Sequence, residues 1–142
     1  MTAPYLLMAD DNRGDFELLQ EALCVVHMGS DLRLVHVCDG QKAWDVLSAI
    51  PTGDAMPRLV VMDLHLPHIT GVDVVARMKK SAHLSSIPSI IISSGGVPLQ
   101  DRWCADAVFE KPGTWPEYLR FARTLSDRYL SMNQFAATDA SS

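Results

Sequence analysis

The sequence predicts an α/β fold in which five parallel strands form one doubly wound sheet, covered by helices on both faces. Three observations lead there. Short apolar runs alternate with segments of helical period along the chain, the pattern of repeated βα units. Those runs are mostly continuous rather than alternating apolar and polar, as strands buried on both faces require. The chain has 142 residues, close to one typical domain, so a single body must hold every unit.

The elements follow in order. Tyr5–Ala9 is the first apolar run, and Phe16, Leu19, Leu23 and Val26 then recur at helical spacing. Leu32–Val37 reads as a strand, with β-branched Val35 and Val37. Ala43, Val46, Leu47 and Ile50 return to a helical period that Pro51 stops. Leu59–Met62 is the third run, followed by a Pro- and Gly-punctuated loop and a helix through Val74, Val75 and Met78. Ile90–Ile92 is the fourth run, with a weak helix around Leu99–Ala105. Ala107–Phe109 is the fifth, and Trp115–Met132 is a long final helix. Residues 1–132 are expected to form the domain, and the small, polar residues 133–142 a frayed tail.

Composition excludes several classes of function. Twelve Lys and Arg against 17 Asp and Glu leave a net charge of −5, without the positive excess that phosphate backbones demand. Hydrophobic residues make up 48% and charged ones 20%, which is globular rather than disordered composition. Cys24, Cys38 and Cys104 have no short spacing, so neither a disulfide framework nor a CxxC zinc site is suggested. The start lacks a basic stretch and turns acidic, unlike a signal peptide. Apolar runs of about five residues fall far short of the ~20 that span a bilayer. A reduced, cytoplasmic, soluble domain is expected.

In open α/β sheets, ligands sit beyond the carboxyl ends of the strands, where strand order reverses. Here the first strand ends in Asp10-Asp11, the third in Asp63, the fourth in Ser93-Ser94-Gly95-Gly96 and the fifth in Lys111-Pro112. With strand order 2-1-3-4-5, the first and third strands are neighbours about 4.8 Å apart, and three carboxylates converge. Like charges so close need a cation. Hard oxygen ligands in a partly hydrated site suit Mg²⁺, while Lys111 adds a point charge and Ser93 a hydroxyl donor. An Asp nucleophile, a divalent cation, a Lys and a hydroxyl are the components of phosphoryl transfer to a carboxylate.

Plainer readings exist for each piece. Asp10-Asp11 could cap the following helix, Asp63 could be a loop residue and Lys111-Pro112 a strand exit. Coincidence of all three at successive strand ends is the harder assumption. A flavodoxin-type cofactor site needs a Gly/Ser/Thr loop after the first strand, where Asp10-Asp11 would repel phosphate. There is no GxxxxGK[ST] loop and no GxSxG elbow. His65 and His68 form an HxxH pair without a nearby third ligand, a weaker case for zinc than for surface histidines.

From about Tyr5 to Met132 the chain resembles the receiver domain of two-component response regulators, which implies the three-layer, flavodoxin-like (βα)5 fold. MADDN is similar to the acidic pair, and VMDLHLPHITG to the phosphoacceptor loop, with Gly71 eight residues after Asp63. IPSIIISS is similar to the strand bearing the switch hydroxyl, and FEKP to the Lys-Pro end. The resemblance implies that Asp63 is the phosphorylated nucleophile and a metal ligand, and that Asp11 binds Mg²⁺ directly. It further implies that Asp10 acts largely through a coordinated water and that the backbone carbonyl of His65 completes the ligands. Ser93 would hydrogen-bond the phosphoryl group, Lys111 would pair with it, and Lys111–Pro112 would be cis. The donor would be a phosphohistidine on a sensor histidine kinase. The chain would then be a phosphoacceptor assisting its own phosphorylation and dephosphorylation, rather than an enzyme. DNRGDFELLQEAL, VCDGQKAWDVL and the extended last helix resemble the small stand-alone regulators paired with bacterial phytochrome kinases.

The chain departs from that pattern at three positions. Val108 stands where the family usually has a switch Tyr or Phe, Ser94 replaces a small Ala, and Glu110 adds a negative charge beside Lys111. An interaction module that is never phosphorylated is therefore one alternative. A small Mg²⁺-dependent phosphohydrolase is another, though His65 sits where its second acid would be. On the final helix, Tyr118, Phe121, Ala122, Leu125, Tyr129 and Met132 fall within about 100° of arc, and Leu119 and Leu130 widen it to roughly 180°. The excess is expected to face a partner, most simply a second copy in a homodimer.

Overall fold

The structure, a computed structural model, describes residues 5–26, 32–52, 55–95 and 105–130. Its elements are β1 (Tyr5–Ala9), α1 (Arg13–Val26), β2 (Arg33–Val37), α2 (Gly40–Ser48) and β3 (Leu59–Asp63). They continue with α3 (Gly71–Lys80), β4 (Ser89–Ser93), β5 (Ala107–Glu110) and α4 (Trp115–Leu125), which runs into a π-helical turn over Ser126–Leu130. The expected helix around Leu99–Ala105, up to residue 104, and the tail lie outside the described residues.

The sheet has the expected order β2-β1-β3-β4-β5, and every pair is parallel. Successive side chains leave a strand on opposite faces, and this divides the core into two layers. Leu6, Met8, Leu59, Val61, Ile90 and Ile92 pack with α1 and α4. Leu7, Ala9, Val60, Met62 and Ile91 pack with α2 and α3. Five-residue β1, β3 and β4 need apolar residues at successive positions because each neighbour serves a different layer.

The end of α4 differs from the ideal periodicity. At 100° per residue Leu130 belongs on the outer part of the arc, yet it is only 3% exposed and sits in the core layer under α1. The π-helical turn is the reason: i→i+5 bonding brings Leu130 round beneath Leu125, which is also buried. Leu130 is therefore part of this chain's own core and not of a partner face. Leu119 and Tyr129 are half-buried against that core, and Met132 lies outside the described residues.

One close approach fixes the loop between β3 and α3. The N–H of Gly40, at the start of α2, donates to Pro67 O at 3.1 Å. A Cβ at Gly40 would stand 1.7 Å from Ile69 O, so only glycine lets the two backbones touch. Gly40→Ala is expected to destabilise the fold by about 2 kcal/mol or more through the forced backbone shift, read from urea denaturation midpoints. Gly113→Ala, whose Cβ would meet Glu117 Oε1 at an ordinary 3.5 Å, is expected to stay within about 0.5 kcal/mol of the parent chain.

Candidate functional site

The acidic pair stands just beyond β1. Asp10 N–H donates to Val37 O at 3.0 Å, extending the β1–β2 pairing past the strand end. Its carbonyl meets His36 Nε2 at 2.7 Å, and the His36 ring stacks on Phe16 at 4.7 Å. Asp10 Oδ1 accepts from Asn12 N–H at 2.8 Å, while Asn12 Oδ1 accepts from Gly14 N–H at 2.8 Å. The side chain that caps α1 is thus Asn12. Asp10 folds the turn that leads to the cap, and the Asp11 carboxylate is left to solvent.

Asp63 is the last residue of β3 and is buried. Its Oδ1 accepts from His65 N–H at 3.2 Å and its Oδ2 from Lys111 Nζ at 3.0 Å. A Cβ on Gly71 would lie 2.3 Å from Asp63 O, so the start of α3 is pressed against the backbone of Asp63. His68 holds a left-handed φ of 70° in this loop, and Ile69 N–H closes back on Pro67 O at 2.8 Å. That conformation costs about 1–3 kcal/mol, and the Gly40–Pro67 contact helps to hold it.

Ser93 ends β4 and is buried. Its Oγ accepts from Gly95 N–H at 3.2 Å, and its carbonyl accepts from Lys111 N–H at 2.9 Å, which ties the two residues together across β4 and β5. Glu110 is exposed. Val108, in place of an aromatic, is half-buried in the layer with α2 and α3. The Lys111–Pro112 peptide is trans, since no cis bond occurs among the described residues, contrary to the expected cis form. Lys111 reaches the site from the extended end of β5 without it, and trans is the intrinsically favoured state.

The first, third and fifth strand ends converge as expected. Carboxylate oxygens of Asp10, Asp11 and Asp63 all lie within 4.8 Å of one another. Lys111 Nζ stands 2.9 Å from Asp10 Oδ2 and 3.0 Å from Asp63 Oδ2, with its side chain 16% exposed. Burial raises the pKa of Asp10, and the bonds from Lys111 and Asn12 only partly offset this. Burial alone would lower the pKa of Lys111, but Asp15, Asp10 and Asp63 more than reverse it, and the ammonium form is strongly favoured. His65 contributes its backbone N–H at Asp63, while its side chain and that of His68 are exposed and join no such group among the described residues.

A divalent cation fits these residues on the structure's own terms. Asp10 is fully buried, and the partner of its Oδ2 among the described residues is the Lys111 ammonium at 2.9 Å. A fully buried carboxylate oxygen with spare acceptor capacity, beside two more carboxylates, is the donor set that suits a hard cation.

Two residues at the site escaped the sequence reading. Asp15, in the first turn of α1, lies 2.8 Å from Lys111 Nζ through Oδ2. Tyr118 on α4 donates its hydroxyl to Asp15 Oδ1 at 3.1 Å. The available signal was the spacing: Asp15 stands one helical turn after Asp11, on the face that returns to the site.

A doubly wound receiver-type domain with an acidic pocket at the ends of β1 and β3 defines a class, and the comparisons with known proteins agree. No protein-family profile matches the chain. The two-component response regulator ORR3 of Oryza sativa subsp. indica is 31% identical over 103 residues, 72% of each chain. Among solved structures, the phosphorylated cyanobacterial phytochrome response regulator RcpA superposes with a TM-score of 0.79 at 23% identity, covering 92% of this chain and 96% of that one. The bacteriophytochrome response regulator AtBRR is 26% identical, with a TM-score of 0.66 over 84% of this chain and 90% of its own. The chain belongs to the two-component response regulators. Its structural neighbours include regulators of phytochrome systems.

Removing the ammonium tests the electrostatics directly. Lys111→Met is expected to cost about 3 kcal/mol at neutral pH without divalent cations, because buried carboxylates lose their compensating charge. The defect should shrink in acid. The pKa of Asp10 is raised in the folded chain, so its bound proton stabilises the fold at low pH and that contribution is lost as pH rises. Urea midpoints at acid and neutral pH, with chelator and with Mg²⁺, read this out, and Mg²⁺ should restore part of the loss.

Proposed function

We propose that the chain accepts a phosphoryl group on Asp63 from a phosphohistidine of a sensor histidine kinase, in a Mg²⁺-dependent reaction, and signals through protein–protein contacts. The observation that carries this reading is the buried Asp63 carboxylate, 3.0 Å from Lys111 Nζ and grouped with the carboxylates of Asp10 and Asp11. In the transfer, a carboxylate oxygen of Asp63 forms a bond to phosphorus as the P–N bond to imidazole breaks, and the electron pair leaves with the imidazole. A carboxylate oxygen attacks with its own lone pair, so the transfer to Asp63 needs no general base. Lys111 supplies a fixed positive charge to the phosphoryl oxygens, and Ser93 a hydroxyl at the next strand end. Asp10, Asp11, Asp63 and the carbonyl of His65 are the proposed metal ligands. When bound, Mg²⁺ supplies charge neutralisation and alignment for the incoming phosphoryl group.

Likeness to AtBRR and RcpA supports a phytochrome-type kinase as the donor. A cytoplasmic location agrees with this and with the absence, among the described residues, of any helix long and apolar enough to cross a membrane. Val108 favours the second reading, a receiver-fold interaction module that is never phosphorylated. One experiment separates them. Incubation with Mg²⁺ and a small phosphodonor such as acetyl phosphate should give an acid-stable, base-labile adduct with the mass of one phosphoryl group. Asp63→Asn should abolish the adduct and chelation of Mg²⁺ should strongly reduce it. No adduct from any donor, a cognate kinase included, would leave the silent module, and turnover of unrelated phosphomonoesters would favour a hydrolase.

Self-association belongs to the same proposal. Leu119 and Tyr129 form a half-buried apolar edge along the last helix, and Trp115 at its start is 39% exposed. A homodimer through this face should appear in light scattering at high concentration; a monomer with and without phosphodonor would exclude it.

A further inference from the structure

Lys111 has a third carboxylate partner that none of the phosphoacceptor motifs contains. Asp15 Oδ2 makes the shortest of its three ion pairs, 2.8 Å against 2.9 Å to Asp10 and 3.0 Å to Asp63. Asp15 is not one of the carboxylates that converge as a cation site, and its Oδ2 pairs with the ammonium. Its other oxygen is occupied by the Tyr118 hydroxyl at 3.1 Å. Burial and the neighbouring Asp15 raise the pKa of Tyr118, which keeps that hydroxyl protonated as a donor.

We propose that Asp15, held by Tyr118, is a positioning residue that sets where the Lys111 ammonium rests during phosphoryl transfer. The proposal rests on the phosphoacceptor reading of Asp63. An ammonium has three N–H donors, and here three carboxylates surround it. Without Asp15 the same charge settles on Asp10 and Asp63 alone, whose oxygens are those a divalent cation needs. Ammonium and cation then compete for the same oxygens and repel each other. Asp15 draws the ammonium toward the α1–α4 side and leaves the acidic pocket open.

The test uses the full chain with Mg²⁺ as probe. Calorimetric Mg²⁺ titration without any donor, and the Mg²⁺ concentration giving half-maximal labelling by acetyl phosphate, are compared among variants. Asp15→Asn should weaken Mg²⁺ binding by about threefold to tenfold, the scale of one partly buried charge contact. Asp15→Glu should recover part of this, and Tyr118→Phe should weaken binding by about twofold. Glu17→Gln, which removes an exposed carboxylate two residues along the same helix, should change neither readout. A merely structural role would shift urea midpoints and leave the Mg²⁺ affinity of the folded protein unmoved. Should Asp15→Asn fail to fold, Asp15→Glu and Tyr118→Phe carry the same test. Unchanged Mg²⁺ affinity in the folded Asp15 and Tyr118 variants overturns the inference, as does an equal effect from Glu17→Gln. If wild type binds Mg²⁺ but never acquires phosphate, the phosphoacceptor reading fails, and the calorimetric comparison still decides whether Asp15 controls the ammonium.

Discussion

Three carboxylates, from Asp10, Asp15 and Asp63, gather around the Lys111 ammonium at one end of the sheet, with the exposed Asp11 carboxylate beside Asp10 and Asp63. Most of the local architecture follows from keeping them there. Taking a carboxylate out of water costs several kcal/mol unless charge and hydrogen bonds compensate, so Asp10, Asp15 and Asp63 are each tied to Lys111, while Asp11 stays exposed. Asp10 is held by Val37, Asn12 and the ring of His36. Asp63 is held by His65 N–H and backed by Gly71. Lys111 is placed by Ser93 O across the sheet. The two core layers beneath make these strand ends rigid enough to carry the mismatch. The surplus of negative charge is what gives the pocket a use for a cation.

The strands were legible because each must feed two layers. Continuous runs such as Leu59–Met62 and Ile90–Ile92 have few other uses in a chain of this composition. Once the runs were placed, the polar residue ending each one was fixed as well, and Asp10, Asp63, Ser93 and Lys111 stand where that reasoning put them. Asp15 and Tyr118 were harder. An acid in a first helical turn already has a sufficient local explanation in the helix dipole, and a tyrosine in an apolar stripe has one in burial. Their meeting spans 103 positions of sequence and depends on how α1 packs on α4, which no local pattern encodes.

Leu130 shows a different kind of limit. A periodic apolar stripe from Trp115 to Met132 implies one helical pitch, whereas the chain changes pitch after Leu125. The five-residue step to Leu130 satisfies the core with a π turn where an α-helix would have turned that side chain outward. Apolar residues that seemed surplus on a uniform helix were in part required inside. Val108 is half-buried in the opposite layer.

The contact between Gly40 and the Pro67–Ile69 backbone also sets a direction. Two backbone segments in contact, one of them carrying the left-handed His68, make the α2 side of the pocket a fixed anvil. The opposite wall is built from a lysine, a carboxylate and a phenol joined end to end by polar contacts, which exchange partners at far lower cost than backbone can shift. If Asp63 gains charge as proposed, the stiff half would hold its shape and the compliant half would absorb the recoil. On the proposed reading, the shape change of this domain would be steered toward the packing of its first helix on its last.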